Sequence, residues 1–319
     1  IIRMSPEEVE LLRELTIIIP TYNRPFELER AIEYWQDLPV TVHILEGSDN
    51  PVFQIGSLPG LDNFVYHHLP RQFNENPLMN LFRRLKFSAT LLNTKFSAIC
   101  CDDDFYTKTG LIEGTKYLEK LPEIDAIAGR ILTYERKHNL VWHHKYTPRK
   151  NRTDLESDSI EKKLLTGSSW FLYAVCKTDA LQKFLTTCYS EQNFTKINFY
   201  AHEWMMFILC KAMFRTKYLD IIQSARQDTV VGANVGPKVP WTEFICDTKN
   251  SGYIDDIVAQ LANGFNLVTP NSEHENNFRL AREQMRKEQE KAKLSKNHIQ
   301  TKITFKSLAG NLVFWIFPM

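Results

Sequence analysis

Short apolar runs alternate with amphipathic segments over the first hundred residues, and this alternation limits the folds that the chain can adopt. A run that is apolar on both faces, such as residues 16–19, indicates a buried strand of a parallel sheet. Apolar side chains at near-helical spacing indicate a helix over residues 25–36. Further strands are predicted at 40–45, 63–68 and 96–101, with a second helix at 76–92. The order β-α-β-β-α-β predicts an α/β sheet with helices on both faces.

Polar clusters follow three of these predicted strands at the point where each strand ends. They occupy residues 21–24, 46–49 and 102–104. Sheets of this class bind ligands in the crevice outside the carboxyl ends of their strands. The three clusters are therefore expected to form one binding site.

Three consecutive aspartates, Asp102, Asp103 and Asp104, form the most informative of these clusters. Adjacent carboxylates repel one another unless a cation neutralises them. Asp102 and Asp104, at alternate positions, are predicted to face the same way and to offer hard oxygen ligands to Mn²⁺ or Mg²⁺, with a substrate diphosphate completing the shell. The alternative is an acidic turn exposed to solvent.

Two segments, Thr16-Ile-Ile-Ile-Pro-Thr-Tyr-Asn-Arg-Pro25 and Cys101-Asp-Asp-Asp-Phe105, flank an acidic residue after the second strand. Together they resemble the nucleotide-sugar domain of GT-A glycosyltransferases, above all the inverting family 2 type and its bacterial polysaccharide relatives. The resemblance covers about residues 14–235. It implies a Rossmann-like GT-A domain with a mixed central sheet over residues 1–235. This domain is expected to consist of a nucleotide-sugar-binding half (1–105) and an acceptor half (106–235). A C-terminal loop and helical extension is expected to follow the domain at 236–319.

The same resemblance implies roles for individual residues in donor binding. The nucleotide-sugar-binding residues are expected to be Pro20, Thr21, Tyr22, Arg24, Glu46, Asp49, Asp102 and Asp103. Glu46 stands where the family usually has an aspartate that binds uridine or ribose, and Asp49 is the alternative for that role. Asp102 and Asp104 match the family's metal- and diphosphate-binding aspartates, so Mn²⁺ or Mg²⁺ is the expected cofactor.

A candidate catalytic base lies about a hundred residues after the aspartates, where the family has an acidic residue at a helix start. Glu203 opens a strongly apolar predicted helix, and the positive end of the helix dipole favours an ionised carboxylate there. His202 is the second candidate for the base, or a third metal ligand. The alternative is that Glu203 only caps this helix or pairs with a neighbouring cation.

The function that follows from the resemblance is that of a metal-dependent enzyme of the hexosyltransferase type. It is expected to transfer a sugar from a nucleoside diphosphate donor, a UDP-sugar, to a hydroxyl of a glycan or lipid-linked glycan, with inversion. Two alternatives remain open. A nucleotidyltransferase would usually carry a glycine-rich loop after the first strand, which residues 21–24 lack. The other is a glycan-binding module that keeps the fold without the chemistry.

Composition and charge bear on the partners and the compartment. With 39 Lys+Arg against 38 Asp+Glu the formal net charge is +1, so there is no general basis for a nucleic-acid partner. Six cysteines without a CxxC pair favour a reducing compartment, and hence the cytoplasm, over a disulfide framework or zinc site. Two N-x-T sequons, at Asn151 and Asn193, keep a lumenal location open.

The C-terminal region has two interpretations. No apolar run reaches about 18 residues, so no membrane span is predicted. A charged helix is predicted at 278–296, followed by the apolar segment 312–317. In the first interpretation, one face of this helix packs on the rest of the protein. In the second, the helix lies on anionic lipid, and residues 278–317 form a peripheral contact at the inner face of the membrane.

Overall fold

A computed structural model describes most of the first 143 residues and parts of the remainder. The described residues are 4–53, 61–135, 140–143, 156, 173–188, 209–210, 213–227, 276, 279, 280, 283, 287, 303 and 304.

Five helices and ten strands lie within this described part of the chain. The helices are α1 (Pro6–Arg13), α2 (Pro25–Trp35), α3 (Pro77–Ser88), α4 (Lys108–Lys120) and α5 (Thr178–Cys188). The first five strands are β1 (Leu15–Thr21), β2 (Thr41–Glu46), β3 (Phe64–His68), β4 (Phe96–Ile99) and β5 (Phe105–Tyr106). The others are β6 (Ala126–Glu135), β7 (Leu140–His143), β8 (Val175–Lys177), β9 (Thr216–Gln227) and β10 (Ile303–Thr304).

All ten strands belong to one mixed sheet. Its main path runs β10-β7-β6-β8-β4-β1-β2-β3, and β9 pairs with both β5 and β6. The strands β3, β2, β1 and β4 are mutually parallel, whereas β8 is antiparallel to its neighbours β4 and β6. The prediction of an α/β fold with a mixed central sheet is confirmed.

The parallel half forms because its strands are apolar on both faces and its helices have one apolar side. β1 is buried along almost its whole length, as a central strand requires. α2 packs Leu28, Ala31 and Trp35 into the core that also contains Ile17 and Ile44. Burial of these side chains holds α2 against the sheet, so the loop before it stays at the end of β1.

Helix starts are set by local capping. At α1, Ser5 Oγ accepts the Glu8 amide at 3.3 Å and Glu8 Oε2 accepts the Ser5 amide at 3.1 Å, the capping box that Ser-Pro-Glu-Glu favours. Asn76 caps α3 and Thr107 caps α4 through their side-chain oxygens. These caps explain why the helices begin where the sequence changes from polar to periodic.

The structure differs from the predicted elements at one place that matters for the site. The strand expected over residues 96–101 ends at Ile99, because the Asp104 amide donates to the Cys101 carbonyl at 3.1 Å and closes a turn. The aspartates therefore lie on a turn and not on an extended strand. Apolar residues at 126–134 and the pattern at 178–188 also predict a strand and a helix from the sequence, and both are confirmed.

Later parts of the chain are described only in places. The apolar helix predicted to begin at His202 and Glu203 extends to residue 213 in the sequence pattern, and its residues 209, 210 and 213 are described and are helical. In the C-terminal region, residues 276, 279, 280, 283 and 287 are helical and exposed. Among the described residues, no helix is long and apolar enough to cross a membrane.

Candidate functional site

The aspartate turn lies where the carboxyl ends of the parallel strands β1, β2 and β4 meet. Thr21 and Glu46, the last residues of β1 and β2, are paired in register, and Asp102 follows the end of β4 closely. The exposed fractions of Asp102, Asp103 and Asp104 are 2%, 8% and 3%. Three buried carboxylates on one turn do not form a solvated acidic loop, so that alternative is wrong.

The first two aspartates are held by the loop that follows β1. Thr21 Oγ1 donates to Asp102 Oδ2 at 2.7 Å, and Arg24 Nη1 donates to Asp102 Oδ1 at 2.8 Å. Arg24 Nη2 donates to Asp103 Oδ2 at 2.8 Å. One guanidinium thus joins two neighbouring carboxylates. The structure brings three predicted site residues, Thr21, Asp102 and Asp103, together with Arg24.

The third aspartate is held from the other half of the sheet. Tyr173 Oη donates to Asp104 Oδ2 at 2.6 Å, and the Gln227 amide donates to Asp104 Oδ1 at 2.9 Å. Tyr134 Oη donates to the Asp103 carbonyl at 2.9 Å. These contacts fix the turn between β1 and the end of β9.

Asp102 and Asp104 therefore have separate sets of partners. The expectation that both side chains face the same way assumed the alternation of an extended strand. Because residues 101–104 form a turn, that alternation does not apply, and the two carboxylates bond to opposite halves of the sheet.

Burial and mutual repulsion change the proton affinity of the turn. Burial, with repulsion from Asp103, raises the pKa of Asp102 to about 7, although Arg24 and the Thr21 hydrogen bond oppose the change. Burial and Asp103 likewise raise the pKa of Asp104 to about 7, against the hydrogen bond from Tyr173 and the charge of Arg226. Burial thus favours the neutral forms of Asp102 and Asp104, and an added cation would favour the ionised carboxylates.

Glu46 is directed toward its own loop. It is 1% exposed, and its carboxylate accepts the amides of Ser48 at 3.2 Å and Val52 at 3.0 Å and the hydroxyl of Tyr66. These bonds hold the segment after β2 in place. The Asn23 amide then donates to Ser48 Oγ at 2.7 Å and joins this segment to the loop after β1.

A more open group lies beside these loops. Arg71 makes two hydrogen bonds to Asp49, at 2.7 and 3.2 Å, and its guanidinium carbon lies 5.9 Å from the centre of the Tyr22 ring. The hydrogen bond from Arg71 lowers the pKa of Asp49. The side chain of Asp49 is 58% exposed, so this group is accessible from solvent.

The remaining predicted residues are placed as follows. Pro20 lies in β1, half-buried and in register with Leu45 of β2. Glu203 and His202, the candidates for the base, lie outside the described residues, and their roles remain predictions. No group of three His, Cys, Asp or Glu side chains in the described part of the chain is arranged to hold a metal ion.

Sequence reasoning missed several groups that complete the site. They are the side chains of Ser48, Arg71, Tyr134 and Tyr173 and the backbone amide of Gln227. Tyr173 had one available signal, because a tyrosine inside an apolar segment needs a partner for its hydroxyl when it is buried. The other four act through contacts between segments distant in sequence, for which no spacing rule exists.

No protein-family model and no curated protein sequence matches this chain. Among solved structures, one of S. aureus TarS is 14% identical with a TM-score of 0.45 and covers 79% of this chain, which spans 43% of that TarS chain. S. aureus TarS 1-349 in complex with UDP-GlcNAc is 14% identical with a TM-score of 0.44, over 84% of this chain and 79% of that one. The same protein in complex with UDP is 14% identical with a TM-score of 0.44, over 81% and 72%.

Proposed function

We propose that this chain is a GT-A-type glycosyltransferase that transfers a sugar from a nucleoside diphosphate donor to a hydroxyl of a glycan. The observation that carries the proposal is the buried aspartate turn, paired with Arg24, at the carboxyl ends of β1, β2 and β4. Sheets of this kind bind ligands at that edge. The position and charge of the turn suit a cation-assisted diphosphate site.

The nucleoside would lie beside the open group formed by Tyr22, Arg71 and Asp49. An aromatic ring next to a guanidinium offers a flat surface for a base, and Asp49 offers acceptor oxygens to its N–H groups or to ribose hydroxyls. The donor is expected to be a UDP-sugar. Glu46 supports this surface indirectly, because its carboxylate accepts the amides of Ser48 and Val52, which lie on either side of Asp49 in the sequence.

A divalent cation fits the aspartate turn under one condition. Both oxygens of Asp102 and of Asp104 already accept a hydrogen bond, which leaves each oxygen one further lone pair. The turn therefore suits a cation such as Mg²⁺ or Mn²⁺ that takes few protein ligands and completes its shell with diphosphate oxygens and water. When bound, such a cation supplies stabilisation of the charge on the leaving diphosphate.

The proposed reaction is a displacement at the anomeric carbon. The acceptor hydroxyl forms the new C1–O bond, and the bond from C1 to the diphosphate oxygen breaks with its electron pair going to the diphosphate. A carboxylate accepts the hydroxyl proton, and we assign this role to Glu203, with His202 as the alternative. Attack from the face opposite the leaving group inverts the anomeric centre.

The acceptor is proposed to be a glycan or a lipid-linked glycan presented at a membrane surface. The C-terminal segment has six basic residues between 282 and 296, namely Arg282, Arg286, Lys287, Lys291, Lys293 and Lys296. Residues described there are helical and exposed, Leu280 among them. A basic helix with apolar neighbours suits the surface of an anionic bilayer at its cytoplasmic side.

The experiment that tests the proposal screens UDP-sugars against the intact chain by thermal shift, with and without Mn²⁺, and then assays each ligand with glycan acceptors. A ligand that binds only the folded state stabilises it by about 2.7 kcal/mol at a hundredfold excess over its Kd. We expect stabilisation by a UDP-sugar, release of UDP and formation of a glycoside. Asp102→Asn should lose the Mn²⁺-dependent part of the stabilisation, the release of UDP and the formation of the glycoside. Asp220→Asn, at an exposed ion pair, should lose none of the three.

Other outcomes would contradict the proposal in distinct ways. Pyrophosphate release from a nucleoside triphosphate and a sugar phosphate would identify a nucleotidyltransferase. Glycan binding without donor binding or turnover would identify a non-catalytic module.

A further inference from the structure

Arg84 is a buried arginine of α3 that lies behind the aspartate turn and joins the ends of two strands. It is 2% exposed. Its Nη1 donates to the Thr21 carbonyl at 2.7 Å and to the Leu45 carbonyl at 2.5 Å. Thr21 ends β1, and Leu45 is the penultimate residue of β2. One donor atom therefore links the carboxyl ends of adjacent strands.

A second side chain of α3 fixes the orientation of this guanidinium. Asn80 lies one helical turn before Arg84 and is fully buried. Its Oδ1 accepts from Arg84 Nε at 2.8 Å, and its Nδ2 donates to the Leu69 carbonyl at 3.0 Å. Because the guanidinium is planar, fixing Nε also fixes the direction of Nη1.

The absence of a side chain at Gly47 allows this arrangement. A Cβ at this position would lie 2.2 Å from Asn80 Oδ1 and 2.7 Å from Arg84 Nε. Both distances are shorter than nonbonded atoms tolerate, so the loop after β2 passes directly over the Asn80–Arg84 pair. The Gly47 amide also donates to the Thr21 carbonyl at 3.0 Å. The Thr21 carbonyl therefore accepts two hydrogen bonds, one from Arg84 and one from Gly47.

Thr21 and the loop after Gly47, which this arrangement holds in place, contact the proposed donor site. Thr21 donates its hydroxyl to Asp102, and the loop after Gly47 carries Ser48, which accepts the Asn23 amide. Arg84 also places a positive charge behind Glu46 and Asp102. Burial lowers the pKa of Arg84 to about 10, against the attraction of these two carboxylates, so Arg84 stays protonated at neutral pH.

We propose that the Asn80–Arg84 pair is a positioning device that sets the spacing of the β1 and β2 ends and thereby the affinity of the donor site. This inference rests on the proposed function. Neither side chain need touch the donor. The pair acts through Thr21 and Gly47, and a change that leaves the fold intact should loosen both loops together.

The test compares Arg84→Lys with the wild type by thermal unfolding, amide hydrogen exchange and donor kinetics. Lysine keeps the charge but lacks the planar group that fixes direction through Asn80. We expect a folded protein in which the Asn23 and Gly47 amides exchange faster, while α1 is unchanged. Because looser loops must be ordered again when the donor binds, we expect kcat/KM to fall about 10- to 100-fold, mainly through KM.

Two further variants keep the test decisive. Gly47→Ala disturbs the contact between the loop after β2 and the Asn80–Arg84 pair from the side of the loop, and it should reproduce the changes in exchange and KM. This variant tests the positioning role if Arg84→Lys does not fold. Lys86→Met, two residues along α3, is the matched control and should leave both readouts unchanged.

Unchanged exchange at Asn23 and Gly47 in folded Arg84→Lys or Gly47→Ala protein would overturn the positioning role. So would faster exchange with an unchanged KM. A wild-type chain that neither binds nor turns over a nucleotide sugar would instead contradict the proposed function, which is visible before any variant is compared.

Discussion

The guanidinium of Arg24 lies 2.8 Å from the carboxylate of Asp102 and, through its other terminal nitrogen, 2.8 Å from Asp103. Arg24 and Asp102 are 78 residues apart in sequence. Their contact joins the loop after the first strand to the turn after the fourth strand in one charged unit. The side chain of Arg24 is 23% exposed and that of Asp102 is 3% exposed. Most of this ion pair is therefore removed from water.

Arg24→Ala should destabilise the fold, because it leaves the carboxylates of Asp102 and Asp103 buried without their counterion. Hydrogen bonds to charged groups are typically worth about 2 kcal/mol, and we expect a loss of that size in urea unfolding at pH 8. Arg13→Ala, which removes an exposed pair with Glu10, is the control and should cost less than about 1 kcal/mol. Equal losses in the two variants would contradict the importance of the Arg24 pair.

Stability should fall as the pH rises from about 4 to about 7. The folded-state pKa values of Asp102 and Asp104 are raised to about 7, so the folded chain binds more protons than the unfolded chain in that window. The stabilisation is complete below the unfolded pKa near 4 and is lost as the pH passes through the folded pKa near 7. We expect a loss on the order of 1 kcal/mol or more between pH 5 and pH 7 from urea unfolding.

Asp102→Asn tests the source of that pH dependence, because asparagine does not titrate. The slope of unfolding free energy against pH between 4 and 7 should become smaller in this variant. Asp220→Asn changes an exposed carboxylate and should keep the wild-type slope. An Asp102→Asn slope equal to that of the wild type would place the effect elsewhere.

Metal dependence should be visible in nucleotide binding before any turnover is measured. In calorimetry with UDP, Asp102→Asn is expected to lose the part of the affinity that Mn²⁺ adds, about tenfold or more, because it replaces a charged carboxylate ligand with a neutral amide. The residual affinity in EDTA should match that of the wild type in EDTA. Tight binding and full turnover by the wild type in EDTA would show that the turn works without a divalent cation.

The assignment of the base is tested by Glu203→Gln, which keeps size and hydrogen-bonding reach but loses basicity. Turnover should fall by roughly 10²- to 10⁴-fold with donor affinity unchanged, the usual scale for loss of a general base. His202→Ala is the companion variant. Near-normal turnover in Glu203→Gln together with an inactive His202→Ala would transfer the role to the histidine.

Membrane contact by residues 278–317 should appear in liposome flotation. We expect the intact chain to float with anionic vesicles, and a chain without these residues to stay in solution while acting normally on a soluble acceptor. Each basic residue near an anionic surface contributes about 1 kcal/mol and is screened by salt, so high salt should release the protein. No flotation of the intact chain at low salt would rule out this contact.

The sequence by itself determined the elements of the parallel half and the edge at which they converge. Apolar runs such as residues 16–19 and the caps at Ser5 and Asn76 are local signals, because period and capping depend on neighbours within a few residues. The sheet edge could also be predicted, since parallel strands bring their carboxyl ends together.

The tertiary structure decided how the site is built. Whether Asp102 and Asp104 can bind the same cation depended on the turn at 101–104 and on its partners, Tyr173 just before β8 and Gln227 at the end of β9. The charge of the aspartates gave no indication that Arg24 neutralises two of them. Contacts between segments that are distant in sequence depend on packing and register, and no periodic pattern in the sequence encodes them.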